Sequence, residues 1–309
     1  MPKIKPNFPE IKARWFLFIP TLLEVWVMFV LGLASMFLFD KASSEFADAF
    51  NNVIMLVASL FSGIFILFWA RKELRRYGAS FRALLGPLPS FKQLVGYGLL
   101  VVAASTCGGA LLMAVFYGFY LLNPGFAKNV IEGAENSFSY SYGYMVANIL
   151  LTIAVAVVAP FFEELTFRGF ILQRWCAKWG YSWGIILTSL VFALFHGETM
   201  FAIFPFALVL AVTYIRTKSL YVTMWMHMVN NLIASVMMFA SLLSTHGARY
   251  DFDSTNYFEG MNVLLGIGGI ATCIVGAYLY RAWPRRGELL PLEYNRQKLE
   301  ELDPEHISA

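Results

Sequence analysis

In 309 residues the chain carries 59% hydrophobic and only 14% charged side chains, with a mean hydropathy of +0.62. That is more apolar surface than a water-soluble domain buries in one core, so the composition predicts an integral membrane protein and excludes a soluble one. A net charge of +3 is too small to imply a nucleic-acid partner, and Cys107, Cys176 and Cys273 show neither close pairing nor zinc-type spacing.

A helix needs roughly 20 apolar residues to span a bilayer. Runs approaching that length are predicted at 16–39, 53–70, 94–122, 144–167, 183–196, 200–215, 219–243 and 261–280. The expected fold is all-α, a polytopic bundle of about eight transmembrane helices. A short segment 1–15 precedes the N-terminal helices of 16–143, a core follows at 144–243, then a last loop and helix at 244–280 and a charged tail at 281–309. Glu24, in the first run, reads as a structural or snorkelling acid. Gly108-Gly109 in the third run, and Gly266 with Gly269 in the last, read as sites of close helix packing. The fifth and sixth runs are short and meet at the polar turn His196-Gly197-Glu198, a hairpin that need not cross the full hydrocarbon thickness.

Charge sets the expected orientation. Basic residues gather before the first run (Lys3, Lys5, Lys12, Arg14), after the second (Arg71, Lys72, Arg75, Arg76, Arg82, Lys92), after the fourth (Arg174, Lys178) and after the sixth (Arg216, Lys218). The alternate connections are acidic, with Asp40, Glu45 and Asp48 in one, Lys128 against Glu132 and Glu135 in the next, and Asp251, Asp253 and Glu259 in the last. Both termini are therefore expected on the cytoplasmic side of a membrane, that of a prokaryote's cytoplasm. The first run lacks a small-x-small cleavage pattern and is expected to stay as an anchor; Ile307-Ser308-Ala309 carries no lipidation motif.

Three polar groups interrupt the core, where an ionisable side chain costs roughly 2.5–3.5 kcal/mol on insertion scales and so needs a partner or a purpose. Glu164 and Arg168 are four apart on one helix face, in the favourable acid-before-base order, whereas Glu163 points about 140° away from Arg168. Glu164 is thus the expected ion-pair partner and Glu163 the free acid. A carboxylate without a cation in a low-dielectric wall holds a proton readily, as a general base must. The plainer alternative is that both acids neutralise Arg168.

His196 and Glu163 stand at nearly equal sequence distances on either side of Gly180, so an antiparallel hairpin turning there puts them at similar depth, facing each other. A structural, hydrogen-bonded histidine would fit the same position. Phe192, one turn earlier, reads as packing that fixes the ring. His227 and Asn231 share a face of the seventh run, with Asn230 pointing elsewhere, and imidazole and amide on one apolar face suit the stabilisation of a developing oxyanion. An interhelical hydrogen bond is the alternative. Counting along the helices leaves His227 nearer the cytoplasm than His196 by about 10 Å.

Glu163-Glu164-x-x-x-Arg168, Phe192-x-x-x-His196 and His227-x-x-x-Asn231 together resemble the three-motif signature of the CPBP family, the CAAX protease and bacteriocin-processing group that includes type II CAAX prenyl endopeptidases and lysostaphin-resistance-like proteins. The resemblance implies an intramembrane endopeptidase that hydrolyses a peptide bond in a cavity open to the cytoplasm. It implies that Glu163 activates water with His196, that His227 and Asn231 form the oxyanion hole, and that Glu164, Arg168 and Phe192 support the site. The implied partners are a peptide or membrane-associated protein substrate and the lipid bilayer. No cofactor is favoured; the zinc alternative would use Glu163, His196 and His227, although the sequence has no H-E-x-x-H segment. A non-enzymatic membrane protein, an immunity factor, scaffold or transporter that keeps the cluster for assembly or as a proton relay, is the competing reading.

Overall fold

A computed structural model describes residues 13–38, 44–136, 140, 143–246, 253, 257–285 and 287–302, and every regular element among them is helical. Lys3, Lys5, Lys12, Asp40, Asp251 and the terminal Ile307-Ser308-Ala309 lie outside the described residues. In chain order the helices are α1 (Ala13–Leu38), α2 (Ser44–Arg76), α3 (Phe81–Leu85), α4 (Phe91–Leu122), α5 (Pro124–Asn136), α6 (Met145–Ile153), α7 (Ala159–Glu164), α8 (Gln173–Leu194), α9 (Met200–Thr217), α10 (Leu220–Thr245), α11 (Met261–Ala282) and α12 (Pro291–Leu302). Two π-helical stretches, Ala154–Val158 and Leu165–Leu172, join α6, α7 and α8 into one helical run.

Among the described residues six helices are long and apolar enough to cross a membrane, where the sequence predicts eight apolar runs. The difference has two sources. The first predicted run contributes only the shorter apolar stretch Phe18–Ala34, and the fourth and fifth fuse into the continuous helix Met145–Leu194. A straight helix of those 50 residues would be about 75 Å long, far more than a bilayer needs. Gly180 breaks it, with φ 81° and ψ 167°. That is a conformation open to glycine and strained for other residues.

Packing centres on α4, which touches α9, α10 and α11, while α1 and α2 lie against the run from α6 to the second π stretch. The middle of α9, from Phe206 to Ile215, is almost wholly buried, as a helix apolar on every side should be. The glycine expectations divide. A Cβ on Gly108 would fall 2.0 Å from the Ala202 carbonyl oxygen, so close approach there is real, but Gly109, Gly266 and Gly269 face open space; on α11 the tight residue is Gly268, whose added Cβ would meet that of Ala110 at 2.2 Å. Gly108→Ala is expected to cost about 1–3 kcal/mol by forcing α4 from α9, measured as a lowered unfolding midpoint, because backbone cannot yield as a side chain would.

The loop ending α9 is sunk into the protein. Lys218 adopts a left-handed conformation, φ 58°, and the Ser219 hydroxyl donates to the Pro87 carbonyl at 2.7 Å. Gly86, φ +76°, comes so near that a Cβ there would lie 1.9 Å from the Lys218 carbonyl oxygen. Part of the predicted charged tail folds back over this loop as α12. The Asn295 amide donates to the carbonyls of Ala83 at 2.9 Å and Lys218 at 2.8 Å, and the Leu292 N–H donates to Gln173 at 2.8 Å. The helix bearing His227 therefore starts beneath a protein cap.

Candidate active site

Pro160 shapes the backbone under the acidic pair. It has no N–H, and its ring clashes with the carbonyl one turn back in a regular helix. The helix widens into the π stretch just before it, and Ala159 gives its N–H to the Ala154 carbonyl. Val155 is thereby left to take a hydrogen bond from outside the helix: the Asn231 amide on α10 donates to its carbonyl at 2.8 Å. Such π-bulges recur at functional sites, and their freed carbonyls need partners when buried in a membrane. The second π stretch is handled alike, with Gln173 donating to the Gly169 carbonyl at 2.7 Å.

Between the two widenings, α7 presents Glu163 and Glu164 in different settings. Glu164 is fully buried, and its Oε1 takes the Arg168 guanidinium at 2.8 Å and His227 Nδ1 at 2.9 Å. Arg168 also donates to the Ala207 carbonyl at 3.3 Å. Glu163 is one-third exposed, at 33% of its side chain, and its Oε2 lies 3.7 Å from His227 Nε2. That oxygen is buried yet makes no hydrogen bond. The two carboxylates thus approach one imidazole from its two nitrogens, and Glu164 alone holds the cation.

This contact fixes the chemistry of His227. A carboxylate engaged by arginine accepts only, so Nδ1 carries the proton donated to Glu164, and a neutral ring offers a lone pair at Nε2 toward Glu163. His196 is held the same way, its Nδ1–H donating to the Phe192 carbonyl at 2.8 Å, so Nε2 is again the atom left for a ligand. His196 makes no hydrogen bond to Glu163 among the described residues; the residue facing Glu163 is His227. Both histidines lie against one ring. The Phe192 ring lies 4.7 Å from the His196 ring and 5.8 Å from that of His227, with the Arg168 guanidinium 4.4 Å from its centre.

Asn231 keeps one amide hydrogen after bonding Val155, and its oxygen accepts from Asn230 at 2.9 Å. Asn230 does more than point away: the Ser105 hydroxyl of α4 donates to it, which ties α4 to the site. Glu24 also comes close. Ser59 donates to its carboxylate at 3.1 Å, and Glu163 lies within its electrostatic reach. A Cβ on Gly63, one turn along α2 from Ser59, would run into the Phe162 ring, so α1 and α2 wall the site directly. No sequence pattern joins Glu24 to residues so far along the chain; its isolation in an apolar run was the one available signal. Glu198, beside His196, is exposed.

A zinc site would need three such ligands to converge. The lone pairs at the two Nε2 atoms and the Glu163 carboxylate are the right donor types, but among the described residues no three His, Cys, Asp or Glu side chains come together as a metal-holding set.

Residues 145–233 match the family described as type II CAAX prenyl endopeptidase Rce1-like, a family of membrane proteases. The stretch covers α6 through the middle of α10 and contains all three motifs. No curated protein and no solved structure matches the chain.

Proposed function

We propose that this chain, with its Rce1-like domain at 145–233, is an intramembrane endopeptidase. It hydrolyses a peptide bond of a membrane-associated peptide or protein in a cavity reached from the cytoplasm. In this reading the eight apolar stretches cross the membrane and both termini lie on the basic, cytoplasmic side. The observation that carries the proposal is the Glu163 carboxylate, part-exposed, paired with no cation and facing His227 Nε2 at 3.7 Å.

The proposed reaction follows from the proton inventory. Glu163 takes a proton from a water that His196 Nε2 orients by accepting its other hydrogen, and the hydroxide oxygen adds to the peptide carbonyl. Negative charge then gathers on the carbonyl oxygen. The remaining Asn231 amide hydrogen donates to it. His227 can donate only once Nε2 is protonated, and Glu163 beside it is the source; the resulting imidazolium is stabilised by Glu164 across the ring. The same proton then passes to the leaving amine as the C–N bond breaks, which returns the site to its starting state.

Asn231→Ala in purified protein is expected to lower kcat by about 10²–10³-fold with little change in KM, because its lone donor acts on charge that exists only in the transition state. Exhaustive chelation should leave cleavage intact. Lost activity restored by stoichiometric zinc would overturn the water-and-glutamate mechanism, and a full-rate Asn231→Ala enzyme would remove the proposed oxyanion hole.

A further inference from the structure

A groove of about 560 Å³ opens between the first turns of α4 and the last turns of α11, apart from the Glu163 site. Its inner wall is apolar, formed by Gly96, Leu100 and Ile274, with Tyr97 and Tyr278 beside them and Arg281 at the rim. Gly96 makes the floor: a Cβ there would meet nothing within 4 Å. Tyr278 is fixed by a 2.7 Å hydrogen bond between its hydroxyl and that of Thr213 on α9. The groove sits at the end of the bundle where basic residues collect. Lys92 lies one residue from the lining Gln93, and the charge of Arg216 reaches both Tyr97 and Tyr278. Arg216 is engaged by Glu288 at 3.2 Å, whereas Arg281 is exposed and makes no ion pair among the described residues.

We propose that this groove binds one anionic phospholipid of the membrane leaflet at the basic face, its phosphate on the Arg281 guanidinium and an acyl chain along Gly96, Leu100 and Ile274. Three features select that occupant. A cleft whose lining is mostly apolar takes an acyl chain with little polar surface to desolvate. A guanidinium at its mouth matches phosphate oxygens in a two-pronged geometry. Basic side chains nearby add attraction for a headgroup whose charge is not cancelled by its own ammonium. The bound lipid fills the gap between α4 and α11, so it braces the helix that also carries Ser105. The proposal does not rest on the peptidase reading.

Native mass spectrometry of the full chain, released from nanodiscs of equimolar phosphatidylglycerol and phosphatidylcholine, tests it. The wild type is expected to retain phosphatidylglycerol about fivefold over phosphatidylcholine, the ratio one basic contact provides. Arg281→Gln should bring the ratio near one. Gly96→Leu, which fills the cleft where the backbone leaves room, should remove tight retention of both lipids while the unfolding midpoint stays unchanged. Equal retention by the wild type, or retention that Arg281→Gln or Gly96→Leu leaves as it was, overturns the proposal.

Discussion

Glu163→Gln is expected to lower peptide cleavage by about 10²–10⁴-fold, the range that removal of a general base produces. The amide has nearly the same shape and can still meet His227 Nε2 through an N–H donor, so the helix junction is kept. What it lacks is the capacity to accept a proton from water and hand it to His227. Stability should barely change, because Glu163 is part-exposed and holds no cation. Purified wild type and variant compared for cleavage rate and unfolding midpoint give the answer. Full activity in the variant would show that Glu163 is not the base. Comparing membrane peptide fragments from cells carrying either form would also reveal the substrate, since only fragments that depend on Glu163 should disappear.

Arg168→Met should have the largest structural effect, a loss of about 3–5 kcal/mol, because it leaves the Glu164 carboxylate uncompensated in a fully buried position. The guanidinium does three jobs at once: it neutralises Glu164, caps the Ala207 carbonyl and lies on the Phe192 ring. Methionine fills most of the volume and performs none of them. Adding Glu164→Gln to Arg168→Met should recover part of the lost stability, since the stranded charge is then gone, but not activity, since His227 loses the carboxylate that sets its tautomer. A double variant no more stable than Arg168→Met would mean that the cost lies in packing and not in the buried charge.

The polar groups were legible in the sequence because the surrounding apolar runs made them conspicuous, and helical spacing was enough to assign Arg168 to Glu164. That spacing assumes 3.6 residues per turn. Two π stretches around α7 break the assumption, and the proline behind the first, whose missing N–H frees the Val155 carbonyl, acts through backbone that no side-chain pattern records. The pairing of Glu163 with His227 was hidden for another reason: it joins helices far apart in the chain, and the turn that starts α10 is bonded to segments remote in sequence. Glu24 and Ser59 illustrate the same limit, since helices apolar on every side give no moment to say which face meets which neighbour. Glycine was informative only in kind. Gly108 and Gly268 are pressed against backbone or Cβ, while Gly109, Gly266 and Gly269 sit one or two positions away facing open space.

The docking of α12 bears on how the protein is made. Its Asn295 satisfies carbonyls from two connections that precede it by many residues, and it emerges from the ribosome after every apolar helix has already entered the lipid. Until then the Ala83 and Lys218 carbonyls lack their Asn295 donor, and the entry to α10 is held by the Ser219–Pro87 hydrogen bond without its cover. Assembly of the bundle is thus locked from its trailing end, so a premature stop ahead of Pro291 would release a protein with all its spans inserted and its latch missing.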